Sequence, residues 1–168
     1  MPDPEETVTR YHTAIFVETG PNNDGFDDGD IAAQESGDKN AIINTISSGG
    51  HIHEVTGDIA TSTGMYYYTR PQSTNPAVQP TFHTATFLGL IRMKDYPQII
   101  DAVCRAQPAP PCQKKFNTRT MRYEAFKSEE EGGGFYAEGE VRKKGYFKCT
   151  EWTEERIIPA LEREGVFC

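Results

Sequence analysis

The sequence predicts an α+β fold, an antiparallel sheet packed by a few helices. Short runs rich in β-branched and aromatic residues, punctuated by Gly, Pro and Asn, dominate the first half of the 168 residues. A helical apolar period replaces that pattern over 97–106. It returns in the closing stretch, where Lys148-Cys149-Thr150-Glu151-Trp152 places a cysteine at the start of a helix. Strands first and helices later is the α+β order.

Taken in order, residues 1–8 read as a mobile acidic tail. Arg10 to Val17 reads as a strand, with His12, Ala14 and Phe16 on one face by alternation. Residues 20–39 are rich in Gly, Asn, Asp and Ser and read as a long acidic loop insertion. Their Asn-Asp-Gly run lacks a calcium-loop pattern, because Phe26 falls where a ligand is needed and no glutamate closes the loop. Ala41–Ile46 is a short strand candidate, His51–Thr56 a firmer one, and Gly64–Thr69 the next. Phe82–Met93 is the longest strand candidate, with Gly89 marking a bulge.

Pro97–Ala106 reads as a helix, with Pro97 at its first position and Ile99, Ile100, Val103 and Cys104 as its apolar stripe. Residues 112–131 are polar and weakly patterned, with a short strand near Thr120–Phe126. Glu129–Gly134 reads as a flexible link. In the last helix, Thr150 or Thr153 can cap, and Glu151, Glu154 and Glu155 suit its positive end. Trp152, Ile157, Ile158 and Leu161 form its buried side, and Pro159 should kink or divide it.

Composition bounds the function. The length fits a single domain spanning 1–168. A net charge of −8 argues against binding nucleic acid. The short basic runs Lys114-Lys115 and Arg142-Lys143-Lys144 read as solvated surface. No apolar run reaches the ~20 residues that span a bilayer. The acidic Met1–Glu6 start lacks the basic and apolar regions of a signal peptide, so the expected compartment is the reducing cytoplasm. There Cys104, Cys112, Cys149 and Cys168 are expected as free thiols, and their spacings match no paired zinc pattern.

A thiol at a helix N-terminus feels a dipole that favours thiolate, the posture of a nucleophile. Such a nucleophile needs a base, and the base an orienting group. His12 and His53 each sit on a predicted strand among apolar neighbours, and antiparallel pairing would set them side by side. His51, two residues before His53 on the same face, could take its place. His12, His51 and His53 could instead hold a metal. His83 reads as structural.

These three pieces, Tyr11–Val17, His51–Val55 and Lys148–Trp152, resemble the circularly permuted papain-like proteins, the NlpC/P60 and lecithin:retinol acyltransferase type. In that family a histidine opens the first strand, a second histidine follows an aliphatic residue on the next, and the cysteine comes last at a helix start. The resemblance implies that His12 is the general base, His53 the orienting residue and Cys149 the nucleophile that forms an acyl-thioester. It also implies a permuted papain-like fold with no cofactor and no metal. Three features depart from the family: the long gap between His12 and His53, Lys148 in place of the usual Asn, and the lack of a C-terminal membrane helix. The Cys-Thr-Glu-Trp-Thr-Glu run is also similar to the ends of small fungal proteins, which supplies no function.

The expected activity is thiol-dependent acyl chemistry on an amide, ester or thioester of a small molecule or peptide, by hydrolysis, acyl transfer or cyclisation. The alternative is a non-catalytic binding or scaffold domain on the same fold.

Overall fold

The computed structural model describes residues 10–19, 49–140, 142 and 145–168. The acidic tail, the 20–39 insertion and the Ala41–Ile46 strand candidate lie outside them. The described chain is mixed α and β. In order it runs β1 (Ile15–Glu18), β2 (Gly50–Gly57), β3 (Met65–Gln72), α1 (Gln98–Ala106), β4 (Lys114–Asn117), β5 (Arg122–Ala125) and α2 (Cys149–Trp152). A π-helical turn (Thr153–Ile157) and α3 (Ile158–Arg163) follow.

Two compact units interleave along the chain. The first comprises 1–14, 54–68 and 88–168, the second 15–53 and 69–87. The boundaries cut β2 between His53 and Glu54 and β3 between Tyr68 and Thr69.

In the second unit β1 pairs antiparallel with β2, Ile15 opposite His53 and Val17 opposite His51. The sheet order is β1-β2-β3. Ile15 and Ile52 are the buried apolar residues of this pairing. The strand expected from Arg10 begins only at Ile15. Side chains of residues 10–13 bond the segment around the start of the C-terminal helix instead, and the ladder with β2 starts at Ile15.

The first unit holds the α-helices of the described residues. Ile100, Val103 and Cys104 of α1 are buried, as their spacing requires, together with Val55, Ile59, Trp152, Ile157 and Leu161. Tyr67 from β3 hydrogen-bonds Asp101 of α1 at 2.7 Å, and its ring lies 6.0 Å from that of Trp152. Gly64 has φ +72°, and a Cβ there would sit 2.4 Å from the Pro110 carbonyl oxygen, so only glycine lets β3 begin beside that segment.

Pro159 divides the last helix without ending it. It has no N–H to close an ordinary helical turn. The preceding turn widens, with Ile158 N–H bonding the Thr153 carbonyl five residues back. Helical structure thus continues from Cys149 to Arg163.

β4 and β5 form a second antiparallel sheet, Lys114 opposite Ala125 and Asn117 opposite Arg122. The 112–131 sequence showed only the second of these strands. Residues 128–134 close a hydrogen-bonded loop: Lys127 N–H reaches the Gly134 carbonyl at 2.8 Å, and Phe126 packs edge-on against Phe135.

The Phe82–Met93 strand expectation is overturned. Residues 83–92 form no strand, and Phe87, Leu90 and Met93 are exposed. Gly89, at φ +151°, accommodates Phe167, whose Cβ would lie 2.8 Å from a side chain at that position, and Leu90 accepts from the Cys168 N–H. β-propensity cannot make a strand where the backbone turns to meet a neighbouring segment instead of a ladder partner.

Candidate active site

The first unit brings Cys149, His12 and Glu54 together. Cys149 opens the last helix. Glu151, three residues after Lys148, accepts the Lys148 backbone N–H at 2.8 Å, the reciprocal half of a capping box. Arg10 donates through Nη2 to both oxygens of the same carboxylate and through Nη1 to the Tyr146 carbonyl at 3.3 Å. Thr13 and Thr150 join their hydroxyls at 2.9 Å. Residues 10–13 are therefore laid across the helix start by side chains two or three positions apart, and His12 lies between these attachments.

The Cys149 thiol and the His12 ring are electrostatically coupled, each shifting the proton affinity of the other. His12 Nε2 lies 2.7 Å from Oε2 of Glu54. Glu54 is 7% exposed, a buried carboxylate beside an imidazole. The His12 side chain is 53% exposed, and Cys149 is half-buried, so both can be reached from solvent.

Electrostatics follow from this geometry. Burial pushes the Cys149 thiol up. The His12 hydrogen bond, the Thr13 backbone N–H and the imidazolium charge outweigh burial, and its pKa falls below the ordinary thiol value. The Cys149 hydrogen bond, reinforced by Glu54 and opposed by burial, raises His12 from 6.5 to about 9. The two shifts reinforce each other, so the pair favours thiolate beside imidazolium over thiol beside neutral imidazole. The other thiols differ. Burial pushes Cys104 up to about 12, and Cys112 donates to the Lys114 carbonyl at 3.2 Å.

Of the residues singled out in the sequence, His12 and Cys149 meet. The group beside His12 Nε2 is the Glu54 carboxylate, and His53 is the residue before it. His53 is buried on β2, and strand alternation points it to the face opposite Glu54. The signal for Glu54 was present. It is an acid inside the buried run Ile52–Val55, and a carboxylate placed there requires a partner. No set of three metal-binding side chains exists among the described residues. The open cavity of about 600 Å³ beside Tyr67 and Arg105 is lined by none of the three site residues. No described helix is long and apolar enough to cross a membrane.

The buried Glu54 carboxylate is placed to orient the His12 ring. Glu54→Gln is expected to lower the His12 pKa and to slow alkylation of Cys149 at pH 6 by about tenfold. NMR titration of the His12 ring in both proteins separates this from a folding defect. An unmoved titration would rule the role out.

Residues 3–168 match a family of unknown function, DUF6540. The chain belongs to the DUF6540 family. No curated protein and no solved structure matches it. Within the DUF6540 match lie all three residues of the cysteine–histidine–glutamate constellation.

Proposed function

We propose that the protein is a thiol enzyme of acyl chemistry, built as a permuted papain-like fold, with Cys149 as nucleophile, His12 as acid–base and Glu54 as the orienting carboxylate. One observation carries this reading: a partly exposed imidazole lies 2.7 Å from a buried carboxylate and is coupled to a thiol at a helix start, whose pKa it lowers. That is the arrangement by which a cysteine nucleophile is activated. His53 leaves the orienting role assigned to it from sequence, and Glu54 takes it.

The chemistry runs in two halves. The Cys149 thiolate attacks a carbonyl carbon. A C–S bond forms, and the C=O π pair moves to oxygen, where the first-turn N–H of Cys149 is placed to receive it. Collapse of the adduct breaks the bond to the leaving group, which takes the proton from the His12 imidazolium. The acyl-thioester is then attacked by water or an amine, which gives its proton to His12. The product acid or amide departs and the thiolate returns. Hydrolysis, acyl transfer and cyclisation differ only in that second nucleophile.

The test is competitive alkylation with limiting iodoacetamide at pH 6, read by peptide mass spectrometry. Cys149 should be modified at least about tenfold faster than the more exposed Cys168, with Cys104 last. Equal modification of Cys149 and Cys168 would instead mark a non-catalytic binding domain.

A further inference from the structure

Three cations converge on one ring just ahead of the nucleophile. The Arg142 guanidinium lies 3.7 Å from the Tyr146 ring centroid, Lys114 Nζ 4.6 Å and Lys148 Nζ 5.4 Å. The Lys114-Lys115 and Arg142–Lys144 runs were expected to be solvated. Lys114 is instead 9% exposed, and Arg142 is half-buried. The arrangement is held in place by Gln113, itself buried. Its Oε1 accepts from Arg142 Nη2 at 2.8 Å and from Phe147 N–H at 2.9 Å, and its Nε2 donates to the Phe147 carbonyl. One amide thus fixes both the guanidinium and the backbone that leads to Cys149.

Stacking on Tyr146 stabilises each cation, but three like charges around one ring oppose one another. Arg142 Nη1 is buried and has no hydrogen-bond partner among the described residues. A buried guanidinium donor left unmade is costly. An anion placed there would bond Nη1 in a setting of positive potential, with two lysine ammonium groups around the same ring. Cys149 is the third residue after Tyr146, a Cα–Cα span of at most about 11 Å.

We propose that the Arg142, Lys114 and Lys148 side chains around Tyr146 form the subsite for an anionic group of the acyl substrate, which carries a carboxylate or a phosphoryl group a short chain away from the carbonyl attacked by Cys149. This rests on Cys149 being the nucleophile.

The experiment compares two alkylating reagents on the full chain, N-iodoacetyl-4-aminobutanoate and its neutral terminal amide, which share one warhead. Cys149 should react with the anionic reagent at least about fivefold faster at low ionic strength, a preference that salt erodes. Arg142→Gln should bring the ratio of the two rates close to one, and Arg142→Lys should restore part of it. If Arg142→Gln does not fold, Lys148→Met should lower the same ratio by about twofold. At constant ionic strength, acetate or inorganic phosphate should slow the anionic reagent, and the stronger competitor identifies the anion. Fast reaction of Cys149 with a ratio of one in the unaltered protein overturns the subsite alone. Reaction of Cys149 no faster than Cys168 with either reagent overturns the nucleophile as well.

Discussion

Replacing His12 with alanine should slow the alkylation of Cys149 at pH 6 by about a hundredfold, because an unassisted thiol with the usual pKa near 8.5 is only about 0.3% thiolate at that pH. Burial would lower this fraction further, since it opposes the charged form and His12 is the group that overrides it. The effect should shrink as the pH rises, for above the ordinary thiol pKa the variant ionises unaided. Rates measured against pH from 5 to 10 in both proteins test this. Parallel profiles would show that His12 does not govern the sulfur.

In the proposed mechanism the same pairing sets a pH limit on turnover. His12 must be protonated to supply the leaving group. Its pKa is raised to about 9, so acyl turnover should fall as the pH climbs through that value. For stability, a raised folded pKa contributes fully below the unfolded value of 6.5 and is lost as the pH rises through about 9. The Cys149 contribution has the opposite sign. Its pKa is lowered on folding, so its share is present at alkaline pH and is lost as the pH falls through the lowered value.

Trp152→Ala should be the most damaging single change to the fold, costing about 3–5 kcal/mol in denaturant melts. The indole is fully buried, three residues after Cys149, against Tyr67. A domain of this size has only about 5–15 kcal/mol in hand, so the variant should be partly unfolded near 37 °C. Trp152→Phe should cost much less. The indole Nε1 has no hydrogen-bond partner among the described residues, so phenylalanine removes a buried, unsatisfied donor along with some volume. An alanine variant as stable as the phenylalanine one would mean that the ring does not anchor the helix start.

The features legible in the sequence were those that depend on near neighbours along the chain. The apolar stripe of Ile100, Val103 and Cys104 and the buried Trp152, Ile157 and Leu161 follow from helical spacing. The β2 strand ends at Gly57 in a left-handed conformation that glycine signals. Lys114–Asn117 was missed because its partner strand, not its own alternation, makes it a strand. Phe82–Met93 misled for the converse reason: it has strand residues but no ladder.

The candidate site divides the same way. Cys149 at a helix start and His12 among apolar neighbours are local patterns, and both stood out. Glu54 did not, because its meaning is a distance to a ring forty-two positions earlier.

By itself the sequence determined the mixed α and β character, the apolar faces of the helices and two chemically unusual side chains, because periodicity, capping and composition are written within a few consecutive residues. Only the tertiary structure decided that a carboxylate meets the imidazole, that Arg10 ties the leading segment to the helix start, and that cations thought to be solvated gather around Tyr146. Those are contacts between segments far apart in the chain. They are selected by how buried surfaces fit and how buried charges find partners, which no local pattern encodes.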